Sequence, residues 1–317
     1  MYHTTPKEIA MAFAFSSLFP LIIWYKTYSK KLLIRNILTY YHKAGISRIN
    51  LSYSKRRIVN LLILLVILIP FLSAIFCSVS VETDPYMKLY YSFYIDFEEN
   101  IFVLLIRVIV VQLIFLYQFT FLNIIAVMCG DLYYSFSELI RHFCKDLQSL
   151  RRSRFTYGDI YVRMQTHSSL YEMAHKLHNV TSEITCLLLC SYVTDMFVIL
   201  AVYVLLDPGQ WTIPMLWESI PVICLVPFSI VGITLCASRI SVEIQKCEIV
   251  FQSLLEYLIC KPQLNLKSLE SVKVMMNKRF PTMTACSIAE FRPKFIVAIF
   301  GSFLTYGLLF LNLEKSN

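Results

Sequence analysis

Residues 59–81 read VNLLILLVILIPFLSAIFCSVSV, an uninterrupted apolar run without one charged side chain. No other feature limits the fold so strongly. A helix rises 1.5 Å per residue, so ~20 apolar residues match the ~30 Å hydrocarbon core of a bilayer. Five further stretches have the same character, giving candidate spans at about 9–25, 59–81, 101–130, 184–206, 219–238 and 295–313. The chain is 57% hydrophobic and 16% charged, outside the range of soluble domains. The reading is an all-α, polytopic membrane helical bundle: one membrane domain over residues 1–317, with six visible spans. Pro70 sits mid-span and predicts a kink, and Pro221 and Pro227 predict an irregular fifth helix.

Charge placement sets the orientation. Residues 26–58, 130–183 and 237–294 carry 25 of the 29 Lys and Arg residues. The alternate loops are acidic: ETDPYMKLYYSFYIDFEEN has five acids and one lysine, and DPGQWTIPMLWE has two acids and no base. The positive-inside rule makes the basic loops cytoplasmic and puts both termini outside. A cleavable signal peptide fits the first span poorly, because the bases follow the apolar run and no small-residue cleavage site does. The segments SELIRHFCKDLQSLRR, SSLYEMAHKLHNVTSEI and SVEIQKCEIVFQSLLEYLI carry apolar residues at helical spacing. The third, fourth and fifth spans are therefore expected to continue past the bilayer, building a cytosolic helical layer from 26–58, 131–183 and 239–294.

The last span poses its own question. At ~100° per residue, Ser302, Thr305, Leu309, Asn312, Leu313 and Ser316 share one arc, and Phe303, Leu304, Gly307, Phe310 and Leu311 lie on the other side. Hydroxyls and an amide facing lipid are costly, so that arc should meet protein or water. Two charges lie within spans. Arg107 can snorkel outward, whereas Asp195 lies deeper and suits either a buried polar contact or a ligand or gating role. Ten cysteines occur singly and read as buried small apolar residues, with no disulfide framework or zinc site. His175 and His178 have a spacing that could hold a metal, but a cytosolic amphipathic helix explains them, and no metal or cofactor is expected. The sequons at Asn50 and Asn179 fall in loops read as cytoplasmic and should go unused. No enzyme motif is present. Bases flanking spans suit anionic lipid, with no nucleic acid as partner.

Several stretches together resemble the insect gustatory receptors, within the wider insect chemoreceptor superfamily. The family's signature, Thr-Tyr, five variable residues, then Gln-Phe, is similar to Thr305 and Tyr306 followed by Asn312 and Leu313, with both final positions changed. ACSIAEFRPKFIVAIFGSFLTY resembles its lead-in, with Gly301 and Ser302 as the small pair. HKLHNVTSEITCLLLCSYVTDMFVILAVYVLL resembles the fifth helix and its approach, and KKLLIRNILTYYHKAGISRINLSYSKRR the loop between the second and third. Family members have seven helices with a cytoplasmic N-terminus. The first visible span then matches the family's second, and the first helix is expected to be missing: either the gene model starts late or the protein is shortened.

The resemblance implies a chemosensory, gustatory-like receptor: a ligand-gated cation channel of the plasma membrane in sensory neurons. It implies a homo- or hetero-tetramer whose last helix lines one central pore. Leu309 and Leu313 would form the constriction, with Asn312 in the glutamine position. Small and polar residues that merely glue a helix into a bundle remain the competing account. The ligand, a small-molecule tastant or odorant, would enter from outside among the middle helices, where Tyr117, Tyr192, Asp195, Phe197 and Tyr203 lie. Other readings are a non-conducting or degenerate family subunit, an unrelated transporter or a G-protein-coupled receptor. The last is discounted because the final span has no proline and its end lies outside by charge.

Overall fold

The computed structural model describes residues 7–41, 53–83, 88, 91, 100–152, 156–205, 211–260 and 266–316, with side chains undescribed at 7–15, 53–56, 151–152, 205 and 310–316. Nearly all of it is helix. In chain order these are α1 (Lys7–Ser29), α2 (Lys31–Tyr41), α3 (Tyr53–Val81), α4 (Ile101–Phe115), a π turn (Leu116–Thr120), α5 (Phe121–Arg152), α6 (Tyr157–Leu205), α7 (Ile213–Ile259), α8 (Leu266–Asn277) and α9 (Pro293–Ser316). A hairpin of two-residue strands, β1 (Thr284–Ala285) and β2 (Ala289–Glu290), precedes α9.

The apolar stretches of the sequence lie on helices, the third crossing from α4 through the π turn into α5. By length and composition, Arg57–Val81, Ile101–Leu150, Tyr157–Val204 and Ile213–Ile259 can cross a membrane, and Pro293–Leu309 is a shorter apolar helix. The surface agrees with that reading. Leu61, Leu64, Leu68, Phe71 and Phe76 on α3 are exposed, as are Ile101, Leu105, Ile106 and Leu113 on α4. Apolar bands of that extent would be untenable in water, and lipid covers them.

At 49 residues, α6 is ~74 Å long, more than twice the hydrocarbon thickness. The 47-residue α7 is nearly as long and runs unbroken through Pro221 and Pro227. The two prolines expected to make this helix irregular do not end it. Neighbouring helices can re-satisfy the backbone groups that proline frees, and a long packed helix tolerates the ring. An irregular turn occurs at the π segment Leu116–Thr120, where no proline marks it.

α5 and α7 run side by side in the same direction and share the most extensive helix contact. Ser229 meets Asn123, and a level further along Arg239 meets Glu138. α6 packs antiparallel beside them, and the core they share includes Tyr133, Phe136, Leu147, Leu177, Ile184, Ile233 and Phe251, all essentially inaccessible. The short α2 buries Ile34, Ile37 and Tyr41, one stripe at helical spacing. Its Tyr41 hydroxyl donates to the Leu132 carbonyl at 3.2 Å, and Tyr40 accepts from Ser169 at 2.9 Å, so α2 is tied to both α5 and α6. Lys26 and Lys30 flank Glu183 at 3.2 and 3.1 Å and fasten the end of α1 to α6.

In the layer beyond the apolar spans, burial is provided by aromatic rings. His167 is 1% exposed and has the rings of Phe143, Phe251 and Phe280 around it at 5.8, 5.5 and 5.2 Å. Burial, aided by the nearby Lys278 charge, pushes its imidazole down to about 4. His175 lies edge-on to Tyr171 at 4.7 Å, as the amphipathic-helix account of that segment requires. Among the described residues no group of three or more His, Cys, Asp or Glu is arranged to hold a metal.

Candidate functional site

The terminal helix shows two faces. Phe303 packs on Phe197 of α6 with ring centroids 4.6 Å apart, and Tyr306 lies edge-on to the same ring at 5.5 Å. Gly307 is buried, and a Cβ there would sit 3.6 Å from Leu200. This is the side the chain itself covers. Ser302, Thr305 and Leu309 are exposed, Leu309 by 51%, and so are Leu304, Tyr306 and Leu308, by 69, 49 and 55%, so the chain covers only the narrow strip around Phe303 and Gly307. Both hydroxyls fold back onto their own helix, Ser302 to the Ala298 carbonyl and Thr305 to the Gly301 carbonyl, each at 2.9 Å. Such back-bonding hides a hydroxyl from an apolar environment while leaving its oxygen able to accept from water. Asn312 and Leu313 continue the helix, but their side chains lie outside the described residues.

A second polar region lies where α1, the π turn, α5, α6 and α7 meet. Asn123 is its hub and is 1% exposed. Its amide nitrogen donates to the Phe119 carbonyl at 2.8 Å, and its oxygen accepts from Ser229 at 2.6 Å. The Tyr192 hydroxyl lies 3.2 Å from both that oxygen and the Leu122 carbonyl. A π turn leaves carbonyls without their usual i+4 partners, and the Asn123 side chain takes one of them. One turn along α6 from Tyr192, Asp195 is 5% exposed and accepts a hydrogen bond from Ser16 of α1. The next residue of α1, Ser17, accepts from the Tyr117 hydroxyl through its carbonyl at 3.3 Å.

Tyr117, Tyr192 and Asp195 thus come together around α1. The other two residues placed with them on sequence grounds do not. Phe197 turns toward α9, and Tyr203 lies at the far end of α6, its ring edge-on to Trp211 at 5.1 Å and its hydroxyl 2.6 Å from Ser219. Asn123, Ser16 and Ser229 went unrecognised as participants in the sequence. The signal was present, since an amide inside FTFLNIIAV is an isolated polar group in an apolar run.

The charged groups nearest the acidic loops are paired. Arg107 is buried and bonds Glu82, the residue after α3, at 2.8 Å, while Lys88 meets the other carboxylate oxygen at 3.1 Å. Glu218, read from sequence as a loop acid, belongs to α7 and accepts from the Tyr91 hydroxyl. Trp217 beside it stacks on Phe76 at 4.5 Å. A cleft of about 350 Å³ lies elsewhere, between α5 and α7, with Arg141, Lys145, Gln148, Glu243 and Lys246 on its walls. Arg141 is ~27 Å along the helix from Asn123, so the cleft and the polar region are separate.

No protein-family model matches the sequence, and no curated protein matches it. Solved structures do. One is the insect olfactory receptor OR5 from Machilis hrabei in complex with eugenol, with a TM-score of 0.74 over 98% of this chain and 83% of that one at 12% identity. At that identity the likeness is one of fold: this chain has the fold of an insect olfactory receptor.

Proposed function

We propose that the chain is an insect chemoreceptor of the gustatory type, a ligand-gated cation channel in which four copies of α9 line one pore. The observation that carries the reading is the uncovered face of α9. The helix packs Phe303 and Gly307 against α6 and leaves Ser302, Thr305 and Leu309 without cover from their own chain, alongside the apolar Leu304 and Leu308, which suit lipid. Lipid suits Leu309 but gains nothing from two hydroxyls, whereas an aqueous axis shared by neighbouring copies suits both. The fold shared with an olfactory receptor supports it further.

In this reading the protein sits in the plasma membrane of a sensory neuron with its C-terminus outside, and Leu309 and Leu313 dewet the closed pore. Asn312 supplies a ring of amides to passing cations. The ligand is a small-molecule tastant or odorant, and Tyr117, Tyr192 and Asp195 border the route by which its binding reaches α6 and hence α9.

Thr305→Cys and Phe303→Cys test the pore. In expressing cells, a small cationic methanethiosulfonate reagent should modify Thr305→Cys and reduce its cation current. Phe303→Cys, packed on Phe197, should be spared. Equal protection at the two positions, with a monomeric mass for the purified protein, would defeat the channel reading. Modification of Thr305→Cys in a tetramer that passes no current would favour a non-conducting subunit.

A further inference from the structure

α5 and α7 are joined at successive levels along their length. Ser229 meets Asn123, Arg239 meets Glu138, and the Phe143 and Phe251 rings lie 6.2 Å apart. At the level of that ring pair the two helices leave the cleft of about 350 Å³. Its size is that of a small-molecule site, for which ~300–1,000 Å³ is usual. On α5 the wall carries Arg141, Lys145 and Gln148, at the i, i+4, i+7 spacing that puts side chains on one face. On α7 it carries Glu243 and Lys246, at i and i+3, together with Ile249.

Charge in and beside the cleft does not balance. Four cations, Arg141, Lys145, Arg239 and Lys246, meet two carboxylates, Glu138 and Glu243, so two positive charges are left over. Both carboxylates are already engaged. Glu243 is 4% exposed and takes the Lys246 ammonium at 2.7 Å. Glu138 is held by Arg239, whose guanidinium also lies over the Tyr134 ring at 4.5 Å. Arg141 reaches Glu138 through one nitrogen only, at 3.3 Å, and the rest of its planar fork stays open. Lys145 is exposed and has no hydrogen-bond or ion-pair partner among the described residues. Asp146 and Glu248, the nearest other acids in the chain, are exposed and lie off the walls. Ile249 adds an apolar surface that is 65% exposed.

We infer that this cleft binds a small soluble organic phosphate, with the phosphate held by Arg141 and Lys145 and the organic group lying on Ile249. A phosphomonoester carries a charge of about −1.5 to −2 at neutral pH, which matches the two uncompensated positive charges. Arginine offers a phosphate two parallel N–H donors, lysine adds a mobile point charge, and the Gln148 amide supplies a neutral donor beside them. Glu243 sets the far limit of the site, because its buried charge keeps Lys246 in place and repels an anion from that end. Depth favours a soluble ligand over a lipid headgroup. Arg141 lies eleven residues past Gly130, where the third apolar stretch ends, or ~16 Å along the helix. The headgroup layer on each side of the hydrocarbon core is only ~5–8 Å deep. Placing the cleft in the cytosol rests on the loop charges, whereas the binding itself rests on neither that orientation nor the channel reading.

The test is isothermal titration of the full-length protein, in phosphatidylcholine nanodiscs that leave both faces open, with phenyl phosphate in a phosphate-free buffer. Binding should have a Kd of about 1 mM or below. Lys145→Ala and Arg141→Ala should each weaken it about tenfold, the worth of one charge-assisted hydrogen bond. Lys176→Ala removes an exposed cation of α6, away from the cleft, and should change nothing. Inorganic phosphate should bind several-fold more weakly than phenyl phosphate, and Ile249→Ser should narrow that gap. No heat up to about 10 mM phenyl phosphate, or one Kd shared by wild type and Lys145→Ala, overturns the inference. So does equal affinity for the two phosphates, which would leave no role for the organic group. If phosphatidylinositol 4-phosphate in the nanodisc abolishes the titration, the cleft belongs to a lipid headgroup and the soluble ligand is excluded. Lys145 is exposed and its variant should fold, so it decides the matter alone if Arg141→Ala does not fold. Calorimetry reads no current, so a negative result here leaves the channel reading standing, and a silent channel leaves the phosphate site standing.

Discussion

Acidification from about pH 7.5 to about pH 5 should cost the folded protein about 2 kcal/mol through His167 alone. Its neutral ring fills a cage of Phe143, Phe251 and Phe280, and its Nδ1 has no partner there. Burial holds the imidazole at about 4 in the folded state, against ~6.5 for an unperturbed histidine. The unfolded chain therefore binds the proton first. The stability from the neutral ring is complete above ~6.5 and is lost as the pH falls from there toward about 4, by about 3 kcal/mol in all. His167→Leu keeps the apolar contacts and removes the titration. Thermal unfolding of the detergent-solubilised protein between pH 5 and 7.5 should show a flatter slope for the variant. Matching slopes in the two proteins would show that the ring is solvated.

Asn123→Leu should destabilise the chain by about 1–3 kcal/mol, as the buried Tyr192 hydroxyl and the half-buried Ser229 hydroxyl each lose a hydrogen bond of roughly 0.5–1.5 kcal/mol. Tyr192 and Ser229 both point at the Asn123 oxygen, and Tyr192 is fully buried. Tyr192→Phe should cost only about 1 kcal/mol, because the Asn123 oxygen keeps Ser229. The double variant should lose less than the two single losses added together, since the pair acts as one network. Measured additivity would mean that the Tyr192 hydroxyl is satisfied by the Leu122 carbonyl alone, which also lies 3.2 Å away.

Much of the architecture was readable because burial in lipid imposes a length. The apolar runs had to become helices, and the amphipathic stretches that adjoin three of them, after the third and fifth and before the fourth, belong to the same helices, α5, α7 and α6. The 3.6-residue period lets an arc be drawn on the last span, but exposure does not single it out, since Leu304 and Leu308 outside it are exposed as well. The candidate pocket was less legible. Aromatic side chains on one helix look alike in sequence, yet Tyr192 faces α5, Phe197 faces α9, and Tyr203 meets Trp211 and Ser219. Only five residues separate Tyr192 from Phe197, so a rotation of the helix decides between core and terminal helix.

Pro221 and Pro227 pass through an unbroken α7, and the irregular turn came at Leu116–Thr120, where the local sequence is ordinary. Composition and period are local properties, so the sequence by itself determined the helices, their apolar faces and the polarity of the final span. Which polar groups meet across helices was decided only by packing. Ser16 with Asp195, Arg107 with Glu82, and the Cys286 turn on Ser182 each join residues far apart in the chain. A buried polar group must find a partner wherever the fold brings one within ~3 Å, and no local pattern specifies where that will be.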